Sequence, residues 1–229
     1  SSSAGDARSV DAGRGIAWWT EAWALFMKYA GLWIVMALIV LVIFIVLSVI
    51  PFIGSIATTL LAPVFAGSWM LAARKVESGG TLEVGDLFVC FKEKLNPLLV
   101  IGALLLAATI VMVLVVGALG AGAAMGMVFG GGHRSAGGMM AAMGAGMVAL
   151  LVGLLFGVLV AMALWFAPAL VVFRNMAPVD ALRTSFAANL KNIAAFLLYA
   201  VIYLVAAIVA SIPFGLGWIV LLPVAFLTV

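Results

Sequence analysis

The residues with most capacity for chemistry lie together near the middle of the chain, in GALGAGAAMGMVFGGGHRSAGGMMAAMGAGMV (117–148). This stretch holds Met125, Met127, Met139, Met140, Met143 and Met147, with the single histidine, His133. Thioether sulfur is a soft ligand suited to Cu(I), so Met125, Met127, His133, Met139, Met140 and Met143 form a candidate copper set. Methionine beside small residues is also a flexible packing element, and the scatter of these residues is looser than a dedicated Cu(I) motif. Elsewhere the chemistry thins out. Asp86, Glu93 and Asp180 are the carboxylates placed for acid–base work, and each also reads as part of a solvated polar face. There is no phosphate-binding glycine loop, HExxH, GxSxG or CxxC pattern. One cysteine (Cys90) and one histidine leave almost no room for a catalytic triad or a zinc site. The expectation is a protein that is not an enzyme and carries no cofactor.

The elements around these residues are written in hydropathy. Hydrophobic residues make up 68% of the chain and charged residues 8%, against roughly 45–50% and about 25% for soluble domains. A chain this apolar has lipid as its solvent. A helix needs about 20 apolar residues to cross the bilayer core. Runs at 31–50, 53–73, 98–118, 147–173, 193–211 and 214–229 meet or approach that length, which predicts an all-α membrane protein with six transmembrane helices. The runs are continuous rather than alternating, which excludes a β-barrel. Residues 1–15 read as a flexible lead-in and 16–229 as one polytopic membrane domain. The last run reaches Val229 without a polar flank, as in a chain that continues.

Basic residues orient the spans. Arg8, Arg14, Lys28, Arg74, Lys75, Lys92, Lys94, Arg174, Arg183 and Lys191 fall on one side and only Arg134 on the other. This predicts a multi-pass protein with both termini cytoplasmic. The basic residues serve topology, so nucleic acid is not an expected partner; membrane lipids are, together with other membrane proteins or a second copy. No span centre carries an ionisable residue, which argues against proton- or ion-driven transport.

The chain also repeats itself. TEAWALFMKYAGLW (20–33), GDLFVCFKEKLNPL (85–98) and VDALRTSFAANLKNI (179–193) each precede a pair of spans. Each reads as an amphipathic interfacial helix, anchored by Trp23 and Phe26, by Leu87 and Phe91, and by Leu182 and Phe186. Phe26 to Pro63 and Phe186 to Pro223 are both 37 residues, while Phe91 to Pro168 is 77. The predicted unit is an interfacial helix plus a helical hairpin, three times over, at about 16–76, 83–176 and 178–229. The turns of the first and third hairpins contain Pro51 and Gly54, and Pro213 and Gly215. Pro63, Pro168 and Pro223 fall inside each second helix, where a missing N–H should kink it. The middle hairpin carries the insertion at about 117–148. Its small residues, among them Gly122, Gly126, Gly130, Ala142 and Gly146, suit close helix approach, and as a helical extension it would reach roughly 15–20 Å outward.

AWALF, IPFIG, LLAPVFAGSWM, GDLFVCF, FAPALVVF and DALRTSFAANLKN together resemble a family of small proteobacterial six-helix inner-membrane proteins of unknown function. More distantly, the chain is similar to the YciC-like proteins. The resemblance implies a six-helix fold in the bacterial inner membrane and supplies no catalytic residues. The expected role is an accessory, scaffold or lipid-organising one. The alternatives are a transporter or channel for a lipid-like or uncharged solute, and copper handling through the Met-rich hairpin.

Overall fold

The computed structural model describes residues 14–129, 136–212 and 217–227, and every regular element among them is helical. In order they are α1 (Arg14–Lys28), α2 (Ala30–Ser48), α3 (Ile53–Glu77), a 3₁₀ turn (Val84–Phe88), α4 (Val89–Glu93), α5 (Leu95–Phe129), α6 (Ala136–Leu164), α7 (Ala167–Arg174), α8 (Pro178–Lys191), α9 (Ile193–Ser211) and α10 (Trp218–Leu227). Among the described residues, five stretches are long and apolar enough to cross a membrane: Ala30–Ser48, Ile53–Glu77, Leu95–Gly122, Met143–Arg174 and Ile193–Ser211. The chain is therefore a multi-pass helical membrane protein. Helix α10 is equally apolar but has ten described residues, about half the length a span requires.

The described residues form two compact units. One comprises those up to Ala103 and from Met162 on, the other Leu104–Ala161. In the larger unit α3 is the central helix: 44% of its apolar window is buried, against 11–18% for the other four spans. One side of α3 places Phe65, Trp69, Ala72 and Val76 in a core with Phe26, Trp33, Met36, Leu87 and Val224. Its other side places Val64 with Cys90, Leu98, Ile101, Ala167, Val171 and Ala181. Helices approach α3 closely where side chains are absent. A Cβ on Gly102 would lie 2.6 Å from the Leu60 carbonyl oxygen, and one on Gly67 would lie 2.9 Å from Leu98 Cδ1.

The turn between α2 and α3 is as tight as its sequence foretells. Ile53 N–H donates to the Pro51 carbonyl at 2.7 Å, and Phe52 between them has φ 60° and ψ −56°, a γ-turn in its positive-φ form. The chain then doubles back so closely that a Cβ on Gly54 would lie 1.8 Å from the Leu47 carbonyl oxygen. Pro213 and Gly215 lie outside the described residues. Gly217 closes the corresponding passage between α9 and α10, where a Cβ would stand 2.5 Å from Ala210 Cα.

The three amphipathic segments differ from expectation in detail. The second is not one helix. Pro97 cannot donate to the Glu93 carbonyl and crowds it, so the chain breaks at Lys94, and Leu95 opens α5. On α1 the buried stripe is Ala22, Leu25 and Phe26, while the expected anchor Trp23 is 50% exposed. On α8 the buried stripe is Ala181, Ser185 and Asn189, with Leu182 and Phe186 half-buried beside it. All three segments nevertheless join the following helix through the same backbone bend. Tyr29 has φ −141° and ψ 40°, Lys94 φ −134° and ψ 21°, and Asn192 φ −117° and ψ 32°. A lysine stands at or beside each bend (Lys28, Lys94, Lys191), where a cation suits a helix C-terminus.

The prolines also divide. Pro63 and Pro223 lie inside α3 and α10. Pro168 instead occupies the first turn of α7, beyond an interruption at Trp165–Phe166. There its missing N–H costs nothing, because first-turn donors have no intrahelical partner.

In the smaller unit, Ala149 is buried, and a Cβ on Gly153 would lie 3.4 Å from Val116 Cγ2. The close approach expected at Gly122 and Gly146 is not seen: a Cβ at either would meet no described atom within 4 Å. Residues 130–135, including Gly130, lie outside the described residues.

The turn geometry sets a stability contrast. Gly54→Ala should destabilise the protein by about 1–3 kcal/mol, because the α2–α3 turn must open to admit a methyl group. Gly31→Ala, where a Cβ meets nothing within 4 Å, should be neutral or stabilising by up to about 1 kcal/mol. Thermal melts of the two variants in one detergent check this.

Candidate functional site

The buried polar groups gather where helices break. Helix α6 ends at Leu164 and α7 begins at Ala167. In an uninterrupted helix Phe166 N–H would donate to the Met162 carbonyl. Instead Phe166 N–H donates to Ser185 Oγ at 3.0 Å, and that hydroxyl donates to the Met162 carbonyl at 2.9 Å. Asn189 Nδ2 donates to the same carbonyl at 2.8 Å and to the Ser185 carbonyl at 3.1 Å. Both lone pairs of the Met162 oxygen are thus used, and a hydroxyl from α8 stands inserted in the hydrogen-bond ladder of its neighbour. Ser185 is fully buried and Asn189 nearly so.

Local sequence sets up this clasp. Asn175, at φ 52°, ends α7 in the left-handed conformation that asparagine tolerates. Met176 N–H then returns to the Leu170 carbonyl at 3.3 Å. Pro178 opens α8 at its first position. The short reversal lays α8 along α7 and brings Ser185 and Asn189 to the break. Lys94 Nζ donates to Asn175 Oδ1, tying the bend before α5 to the end of α7.

A second clasp joins α3 to α4. The buried hydroxyl of Ser68 accepts from Cys90 N–H at 3.1 Å, satisfying a donor in the first turn of α4. Burial pushes the Cys90 thiol above its ordinary range, and the Ser68 contact offsets part of that rise. Beside it, Asp86 is more than a solvated carboxylate. It accepts from Glu83 N–H at 2.8 Å and from Lys75 Nζ at 2.9 and 3.0 Å. The Arg74 guanidinium lies 5.5 Å from the centre of the Phe173 ring.

One groove among the described residues is apolar. Among the described side chains, a slot of about 240 Å³ is lined by Ala37, Val40, Leu41 and Phe44 of α2, Ala62, Phe65 and Trp69 of α3, and Pro223 of α10. An aromatic cluster fills the neighbouring contact of α1, α9 and α10. Trp19 stacks on Tyr199 with centroids 5.2 Å apart, Trp165 meets the same ring edge-on at 5.0 Å, and Tyr203 reaches Trp218 at 6.4 Å.

The structure brings together few of the residues singled out from sequence. Pro223 joins the slot, and Pro168 follows the clasped break. Leu87 is fully buried and Phe91 packs on Phe65 at 5.1 Å. Of the candidate copper ligands, Met125, Met140 and Met143 are exposed, whereas His133 and the side chains of Met127 and Met139 lie outside the described residues. Among the described residues, no group of three His, Cys, Asp or Glu side chains is placed to hold a metal. Sequence reasoning missed Ser185, Asn189, Ser68 and Gly217. A signal for the first two was present: Ala181, Ser185 and Asn189 recur every four residues, the spacing of one helix face. No protein-family model, curated protein or solved structure matches the chain.

Two outcomes follow. Ser185→Ala should cost about 1–3 kcal/mol by leaving a buried donor and acceptor without their partner, whereas Thr184→Ala, next to it on the less buried face, should change the melting temperature little. Cys90 should resist maleimide at pH 8 in the folded protein and react on denaturation, as counted by intact mass.

Proposed function

We propose that this chain is a non-catalytic component of the bacterial inner membrane, an accessory, scaffold or lipid-organising protein, with six spans arranged as three repeats of interfacial helix and hairpin. The observation that carries the functional reading is how the buried polar residues are used. Ser68, Ser185 and Asn189 each hold the end of a helix, and the slot between α2, α3 and α10 is lined by largely apolar side chains. Such an interior suits hydrocarbon, not polar substrates. Three observations support the repeat: the shared bend at Tyr29, Lys94 and Asn192; the glycine that closes each outer turn, Gly54 on Leu47 and Gly217 on Ala210, seven residues on in both; and the serine clasp that joins the second helix of a hairpin to the next short helix. In this reading α10 is the described part of a sixth span, and both termini face the cytoplasm, as the basic residues require. The proteobacterial six-helix family is the proposed kinship.

A second reading, transport of a lipid-like or uncharged solute, draws support from the interrupted α6–α7 span, since broken helices serve transporters as binding and hinge points. Reconstitution separates the two. Liposomes bearing the protein should neither move fluorescent phospholipid between leaflets nor release uncharged solutes faster than empty ones. Accelerated movement that Ser185→Ala abolishes without unfolding the protein would replace the first reading by the second. Topology has its own check: in a Cys90→Ser background, Ser135→Cys should react with impermeant maleimide added outside spheroplasts, and labelling only after lysis would reverse the orientation.

A further inference from the structure

Resting on the reading of the chain as a lipid-organising membrane protein, we infer that the slot between α2, α3 and α10 is a binding site for one acyl chain of a membrane phospholipid. Three features of the slot define its occupant. The first is shape. The α2 lining residues Ala37, Val40, Leu41 and Phe44 follow the spacing of one helix face, and Ala62, Phe65 and Trp69 do the same on α3. The slot therefore runs along the helix axes over residues 37–44, a length of roughly 10 Å. Spread over that length, 240 Å³ is space that one hydrocarbon chain can fill.

The second feature is chemistry. Every lining side chain except the indole of Trp69 offers the slot only carbon, and Pro223 has no backbone N–H. The alanines on facing helices, Ala37 and Ala62, leave the space, while Phe44, Phe65 and Trp69 wall it. Phe44 meets Phe65 edge-on at 5.7 Å and Trp33 backs Trp69 at 5.2 Å, so the wall is braced from behind and does not collapse into the gap. A polar ligand would lose its hydration here without compensation.

The third is position. Ala37–Phe44 is the middle of α2, which spans Ala30–Ser48, and Ala62–Trp69 is the middle of α3, Ile53–Glu77. Leu41 at the rim is 43% exposed, so the slot opens sideways at mid-span. What lies beyond that opening in a bilayer is the hydrocarbon of lipid tails. Each methylene that enters is favoured by the same effect that drives apolar burial elsewhere, and the head group stays outside at the membrane surface.

The test uses the full chain in liposomes doped with a phosphatidylethanolamine carrying a photoreactive diazirine midway along one acyl chain. After illumination, labelled positions are mapped by peptide mass spectrometry. The expected result is labelling at residues 37–44 and 62–69 at least threefold above that on the exposed residues Val201, Leu204, Val205, Ile208 and Val209 of α9. Ala62→Leu, which fills the slot with a modest side chain, should remove the excess there and leave α9 unchanged. Labelling at the slot no greater than on α9, or an excess that Ala62→Leu does not alter, overturns the inference while leaving the membrane reading intact. Absence of label on both α9 and the slot would instead overturn the membrane reading itself. If a second copy fills the slot, label is excluded there and Leu41→Cys yields disulfide-linked dimers under oxidation; that result also rejects the acyl chain.

Discussion

Inside a bilayer a backbone carbonyl without a donor has no water to turn to, and the Met162 carbonyl is the point where this protein meets that constraint most directly. The span that contains it stops at Leu164 and resumes at Ala167. Two side chains from a different helix, Ser185 and Asn189, supply the donors that the interrupted ladder lacks. The position of α8 follows from this, since only a helix lying against the break can deliver them. The reversal at Asn175 and Pro178 follows in turn, because it is what brings α8 back along α7. A hydroxyl that both accepts from Phe166 and donates to Met162 reproduces the missing helical bond with one atom interposed. The bend is thereby held open at little cost in unsatisfied polarity.

Helix α3 plays the complementary part on the apolar side. It packs on both faces, toward Trp33 and Met36 on one and toward Leu98 and Val171 on the other, whereas the remaining spans have far fewer buried residues. In lipid, hydrophobicity does not press helices together; close packing does. That is why glycine matters at Gly67 and Gly102. Each removes a side chain where a neighbour's backbone or methyl group must come within contact distance. The Ser68 hydroxyl, one residue beyond Gly67, then secures α4 in the space so created.

Much of the helical layout was legible in the sequence, because length and hydropathy alone define a span. Five of the six expected runs coincide with stretches long and apolar enough to cross a membrane, the fourth interrupted at Trp165–Phe166, and the α2–α3 turn lies where Pro51 and Gly54 place it. Faces were less legible. A stripe of Val179, Leu182, Phe186 and Leu190 looks like the inward side of α8 if water is assumed outside. In a membrane protein close packing rather than hydrophobicity decides the inward face, and on α8 the small residues Ala181, Ser185 and Asn189 take it, with Leu182 and Phe186 half-buried beside them and Val179 and Leu190 exposed. Trp23 misled for the same reason. The break at Lys94 was written in Pro97, but it was concealed by an apolar pattern that runs across it. Glycine spacing was ambiguous as well: Gly54, Gly67 and Gly102 sit against neighbours, while Gly122 and Gly146 do not, and nothing local separates the two kinds.

The turns closed by Gly54 and Gly217 carry an evolutionary consequence. Along the outer surface of α9, exchange among valine, leucine and isoleucine alters nothing that a fluid lipid shell can feel, so drift there is nearly free. At Gly54 even one added carbon overlaps a carbonyl, and no rotamer escapes the clash because a Cβ has none. Selection on this chain therefore acts with very different stringency on neighbouring letters. It is permissive where the sequence looks most conspicuous, in its long aliphatic runs, and strict at a few positions whose residue is defined by having no side chain at all.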